Sequence, residues 1–279
     1  MQAVAHVNAS AQADTRAGAW LQAFGALGLG ALSLRYSDFA LQWQPVPQWV
    51  PWRAGLADLS GALLIACGVG LLVSRLAKAA CATLTVYIFC WVVLLQAPKV
   101  IAGPLDIGNW LGLCENLALA TGLWILLCRL TPGTGRLTTP QAERTALVLF
   151  AVCLPVFGLS HLMYAQFTAN MIPTWIPLRL ALAWLTGIAH IAAGVGLLTR
   201  LLPRLAVTLE AVMMSLFVLL VHVSGIITEP GSRLQWTMLF VAAALSGAAW
   251  TVAGSLSATP LWIAGPVAKP DGSAPSASL

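Results

Sequence analysis

The sequence predicts an all-α membrane protein in which eight transmembrane helices form two parallel four-helix bundle repeats. Three observations predict this fold class. Only 8% of the 279 residues are charged, against about 25% in soluble domains. Eight apolar runs approach the roughly 20 residues that cross a hydrocarbon core, and they lack the period-two alternation of strands. Finally, features of the first half recur 126 residues later.

The apolar runs define the domain organisation. A polar tail, 1–16, has neither the basic nor the apolar region of a secretory signal. A linker rich in Gly, Pro and Thr, 129–144, joins the first repeat, 17–128, to the second, 145–256. The tail 257–279 ends in a Pro/Ser/Ala-rich segment and is predicted to be disordered. The predicted helices are 17–34, 54–73, 79–97, 108–128, 145–163, 180–199, 205–223 and 235–256.

The duplication is visible as pairs of identical residues separated by 126 positions. The pairs are Pro47 and Pro173, Trp49 and Trp175, Pro51 and Pro177, Arg53 and Arg179, Pro104 and Pro230, Trp110 and Trp236, and the glycine runs 68–72 and 194–198. Each repeat contains an even number of helices. Both repeats are therefore expected to insert in the same orientation, related by an axis near the membrane normal.

The basic residues predict the orientation. With a cytoplasmic N-terminus, nine Lys and Arg residues fall on the cytoplasmic side and five on the other. This bias follows the positive-inside rule, so both termini are predicted to be cytoplasmic. The rule also accounts for the net charge of +5. Because no Lys/Arg cluster with interleaved aromatic residues is present, the predicted partner is the lipid bilayer and not nucleic acid.

The second helix of each repeat carries a family resemblance. A Trp-Val/Ile-Pro element precedes it and Gly-Val-Gly-Leu-Leu closes it. Residues 58–64 (DLSGALL) resemble the Glu-x-x-Gly-Gly-Leu-Leu signature of the DoxX/DoxD-like membrane family, with Asp58 at the acidic position. The chain resembles a tandem pair of such units over 17–256. The second repeat departs from the signature, because Trp184 stands where the first has Asp58.

That resemblance implies four-helix bundles in a bacterial inner membrane. It also implies a link to thiosulfate:quinone oxidoreduction or to thiol and oxidative-stress complexes. The leading hypothesis is therefore a redox-associated subunit that binds a quinone or another small hydrophobic molecule and works with a redox partner protein. The alternatives are a small-solute transporter or channel with a pathway between the repeats, and a non-catalytic membrane scaffold.

Ionisable residues inside the predicted spans are the candidate ligand-binding residues, because each is costly unless it is paired or hydrated. In the first repeat they are Arg53, Asp58 and Glu115. Asp58 follows Arg53 by five residues, so the two form either a structural pair at a helix start or, together with Glu115, a polar site.

In the second repeat the candidates are Arg179, His190 and Glu210. His190 and Glu210 differ in predicted depth by about 6 Å at 1.5 Å per residue. An imidazole–carboxylate contact is expected if their helices face each other. The alternative is that His190 is a satisfied interior donor.

Metal and dithiol chemistry are not predicted. His161 and His222 fall near predicted outer helix ends, where interfacial residues are common, and no pair of ligands has metal-binding spacing. The six cysteines contain no Cys-x-x-Cys pair. Cys90 and Cys114 have similar predicted depth, so a disulfide between them stays open.

Overall fold

The computed structural model describes residues 2–261, with side chains described from residue 12 onward. Within that part of the chain there is no β-strand, and eight helices are long and apolar enough to cross a membrane. The prediction of eight transmembrane helices is confirmed at this level. The helices are α1 (Gln2–Tyr36), α2 (Arg53–Leu72), α3 (Ala77–Ala102), α4 (Ile107–Leu130), α5 (Pro140–Met163), α6 (Arg179–Thr199), α7 (Pro203–Thr228) and α8 (Arg233–Ser255).

Local sequence signals account for several helix ends. Asp106 caps α4, because its Oδ1 accepts a hydrogen bond from the backbone N–H of Gly108 at 2.8 Å. Thr139 caps α5 in the same way through the N–H of Ala142 at 3.1 Å. Pro140 then occupies the first turn, where its missing N–H costs nothing.

The chain ends differ from the predicted tails. Helix α1 begins at Gln2, so the predicted polar tail is helical from its second residue. After α8, Ser257 and Thr259 are buried, and the carbonyl of Thr259 accepts a hydrogen bond from Arg204 at 3.2 Å. The start of the segment predicted to be disordered, 257–261, therefore packs on the helices. The rest of that prediction, 262–279, lies outside the described residues.

Helices α4 and α8 form the centre of the molecule and are the most buried of the eight spans. Helix α1 packs mainly on α8 and α2, and α5 packs mainly on α4 and α6. Helix α1 makes few contacts with α4, the last helix of its own half. The contacts across the two halves, chiefly of α1 with α8 and of α4 with α5, are as extensive as those inside each half. The predicted division into two separate four-helix bundles stays a prediction.

Small residues close the interface between the halves. A methyl group added at Gly122 of α4 would overlap the Cβ of Ala248 in α8. One added at Gly247 would lie 2.7 Å from the carbonyl oxygen of Gly18 in α1. Such close backbone approach is the usual role of small residues between membrane helices.

Two helices widen locally into π-helix. The segments are Val92–Gln96 in α3 and Phe217–His222 in α7. Such π-bulges are rare and often occur at functional sites. Each segment ends in a polar residue, Gln96 or His222, within an otherwise apolar stretch.

Candidate functional site

The structure brings His190 and Glu210 together. Nδ1 of His190 in α6 lies 2.8 Å from Oε1 of Glu210 in α7. Both side chains are almost completely buried, at 2% and 0% exposure. The imidazole–carboxylate contact expected from their predicted depths is therefore present. A titratable pair enclosed in this way is held by its own hydrogen bond, because neither group can reach water.

Three aromatic rings surround this pair. The ring of His161 lies 5.0 Å from that of His190, centroid to centroid, in an edge-to-face arrangement. Phe157 lies 5.8 Å from the His190 ring, and Phe217 lies 5.9 Å from it. We call His161, His190, Glu210, Phe157 and Phe217 the histidine cluster. It joins α5, α6 and α7 through side chains that are either titratable or aromatic.

His161 is a member that sequence reasoning placed at the membrane interface. The available signal was Gly187, one turn before His190. A methyl group there would lie 3.1 Å from the Cβ of His161, so the glycine lets α5 approach α6 at the level of the cluster. Its position near a helix end suggested that His161 is a residue of the membrane interface. Gly187 instead indicates that the imidazole packs against α6.

Hydrogen bonds fix the orientation of His161. The Thr186 hydroxyl donates to the carbonyl oxygen of Ala183 at 3.1 Å. Its oxygen is 3.0 Å from Nδ1 of His161. In the tautomer that carries its proton on Nδ1, His161 donates to this oxygen and Nε2 is left as an acceptor.

Glu210 retains unused capacity. Its Oε2 is buried and has no hydrogen-bond partner among the described residues. An unpaired oxygen of this kind is costly unless it carries a proton or contacts a ligand or water. The cluster can therefore hold a proton between His190 and Glu210, with a second protonation site at Oε2 and a third at His161.

Arg179 lies apart from the histidine cluster. It begins α6, eleven residues before His190, which corresponds to about 16 Å along the helix axis. Its guanidinium donates a long hydrogen bond, 3.5 Å, to the carbonyl of Ile172. The predicted grouping of Arg179 with His190 and Glu210 is therefore not what the structure shows.

The predicted pair of Arg53 and Asp58 is also wrong. Arg53 forms its ion pair with Asp38, which lies in the loop 37–52 before α2. The same carboxylate accepts from Arg233 of α8 at 2.9 Å. Oδ1 of Asp58 is buried with no partner among the described residues. The five-residue spacing puts Asp58 on another face of α2, and Arg53 instead turns toward the loop.

Asp38 was not predicted as an important residue. Burial raises its pKa, but hydrogen bonds from Arg233 and Arg53 outweigh burial and hold the pKa below its ordinary value. Asp38 and Arg233 are 195 residues apart in the chain. No local pattern could have paired them.

Glu115 contacts a loop residue that was also missed. The loop 37–52 folds inward, so that Trp43 is buried and its indole lies beside the Glu115 carboxylate. The indole nitrogen has no hydrogen bond of ordinary geometry within the described residues. Two buried amides, Nε2 of Gln96 and Nδ2 of Asn116, each donate to the Trp43 carbonyl at 3.1 Å. Glu115 forms no ion pair with Arg53 among the described residues.

Metal ligands and cysteines give no additional centre. Within residues 12–261 no group of three or more His, Cys, Asp or Glu side chains is placed to hold a metal ion. All six cysteines are free. Cys90 is exposed, whereas Cys114 is buried and meets Cys153 of α5. Cys114 therefore contacts Cys153 of the second half and not Cys90, the partner considered for a disulfide.

Comparisons with protein-family models, with curated proteins and with solved structures found no match for this chain.

Proposed function

We propose that this multi-pass membrane protein is a redox-associated subunit that binds a quinone, or a similar small hydrophobic molecule, at the histidine cluster. The observation that carries the proposal is the 2.8 Å contact between His190 and Glu210, both fully buried within helices long enough to span a membrane. Titratable residues in such a position are functional by default, because their burial is expensive.

The residues of the cluster suit a quinone. A quinone supplies electron and proton carriage together, and the protein would contribute binding and proton supply. Phe157 and Phe217 offer ring faces and edges for an aromatic head group. His190 and Glu210 would hold the protons, with His161 as a neighbouring acceptor. A redox partner protein would provide the electrons.

A hydrophobic molecule would enter from the lipid. Helix α7 is the least buried span, and Leu209, Leu216 and Leu219 expose apolar surface along it. The π-helical segment begins at Phe217, so the backbone of α7 departs from regular α-helix beside the cluster. Both features support entry between α6 and α7. They favour this proposal over a pathway between the halves, where small residues pack α4 and α8 closely.

Binding of a short-chain ubiquinone analogue to the purified protein in detergent tests the proposal. We expect saturable binding that His190→Leu and Glu210→Gln weaken at least tenfold. Glu115→Gln is the matched control, because Glu115 is a titratable residue of α4 outside the cluster, and it should bind as the wild type does. Absence of saturable binding, or equal affinity in all four proteins, would refute the proposal.

We further propose that the halves are tandem DoxX-like repeats inserted in parallel in a bacterial inner membrane, with both termini cytoplasmic. Supporting observations recur at the 126-residue offset. Trp52 and Leu178 both adopt φ of +55° before α2 and α6. Trp110 and Trp236 donate to the carbonyls of Pro104 and Pro230, each at 2.9 Å. The excess of basic residues on one side supports the orientation.

A further inference from the structure

A groove on the lipid-facing side of α6 is separate from the histidine cluster. It lies between the short helix Ala165–Met171 and the first turns of α6, and its volume is about 780 Å³. Trp184, Leu185 and Ile188 form an apolar wall. Gln166, Asn170 and Arg179 form a polar end. We call this feature the α6 groove.

The polar end contains a cation that has no counter-ion among the described residues. Arg53, at the corresponding position of the first half, pairs with Asp38. The residue 126 positions after Asp38 is Tyr164, which is neutral. Arg179 forms no ion pair among the described residues, and its one hydrogen bond, to Ile172, is long at 3.5 Å. The groove therefore presents a positive charge to whatever fills it.

The position of the groove matches a membrane–water boundary. Trp175, just before α6, is 68% exposed, and Trp184 is 54% exposed. Exposed tryptophans concentrate at the level of lipid head groups. The apolar wall continues from Trp184 along α6 in the direction of the hydrocarbon core.

We propose that the α6 groove binds an anionic phospholipid. Arg179 would donate to the phosphate, for which guanidinium groups are well suited. Gln166 Nε2 donates to Asn170 Oδ1 at 3.1 Å, which leaves the Asn170 amide group available as a second donor. One acyl chain lies against Trp184, Leu185 and Ile188. Charge and apolar surface thus favour a lipid over a free anion.

Thermal unfolding in neutral detergent with added lipid tests this site. Phosphatidylglycerol should raise the unfolding temperature more than phosphatidylcholine does, and inorganic phosphate should not raise it. Arg179→Gln should need at least ten times more phosphatidylglycerol to give the same rise in unfolding temperature. Ala181→Trp, which fills the groove from an exposed lining position, should do the same.

Arg200→Gln is the control, because it removes an exposed charge from the other end of α6. It should respond to phosphatidylglycerol as the wild type does. An unchanged response in Arg179→Gln, an equal response to phosphatidylcholine, or an equal effect of inorganic phosphate would overturn the inference. A loss of quinone binding leaves this result unaffected, because Arg179 lies about 16 Å from His190 along α6. The apolar wall of the groove is on the exposed face of α6, whereas His190 is buried.

Discussion

Replacement of His190 and Glu210 by leucine, singly and together, tests how the buried pair contributes to stability. The first half supplies the reason for choosing leucine. Leu64 and Leu84 occupy the positions 126 residues before His190 and Glu210, and both are 1% exposed. They line one small cavity together, so two leucines already pack at the corresponding place.

The magnitude follows from burial. Removing one partner of a buried, hydrogen-bonded pair leaves the other polar group unpaired and costs about 3–5 kcal/mol. Replacing both partners with apolar side chains of similar size is often neutral or stabilising. If each single variant loses about 3 kcal/mol and the double variant loses none, the coupling energy is about 6 kcal/mol.

The free energy of unfolding of the four proteins, measured by denaturant titration in mixed micelles, gives this coupling energy directly. His222→Leu is the matched control, since Nδ1 of His222 has no partner among the described residues. It should cost little and should not couple to Glu210→Leu. Additive single losses below about 1 kcal/mol would show that the 2.8 Å contact does not stabilise the protein.

Three further predictions concern the loop and the helix interface. Because the folded-state pKa of Asp38 is lowered, its carboxylate stabilises the fold above about pH 4 and loses this effect as pH falls further. Asp38→Asn should therefore lower the unfolding temperature at pH 7. In the variant, the unfolding temperature should also fall less steeply as the pH is lowered into the acid range. Gly122→Ala should cost about 1–3 kcal/mol through overlap with Ala248. Gly55→Ala is the control, because an added methyl group there meets nothing within 4 Å, and it should be neutral or stabilising by thermal unfolding. Equal effects of the two substitutions would contradict the close packing of α4 on α8. Gln96→Leu removes two hydrogen bonds to the loop and should cost about 1–3 kcal/mol. Unchanged hydrogen exchange in residues 37–52 would show that these two bonds do not hold the loop against the helices.

Much of the fold could be predicted from the sequence. Each span is a predominantly apolar run, and a helix in lipid satisfies its own backbone hydrogen bonds, so length and composition suffice to locate it. The contact between His190 and Glu210 was also predictable, because α6 and α7 are consecutive helices joined by a short turn. His190 and Glu210 lie at similar distances from this turn, one on each helix, so they reach a similar depth in the membrane.

The candidate site of the first half could not be predicted in the same way. The spacing in the sequence suggested a pair of Arg53 and Asp58, but in the structure Arg53 pairs with Asp38. The Asp38 carboxylate also pairs with Arg233, so it bridges the two arginines. That choice depends on the inward fold of the loop 37–52, which carries Trp43 into the helices. Spacing along a helix contains no information about a loop that folds over it.

By itself, the sequence determined that this is an eight-helix membrane protein with ionisable residues inside its spans, because both properties depend on local composition. The tertiary structure decided which ionisable residues meet. Helix α1 packs on α8 rather than closing onto α4, and Gly187 brings His161 against α6. These contacts depend on how small residues let distant helices approach, and the physical reason is that packing is a property of pairs of helices.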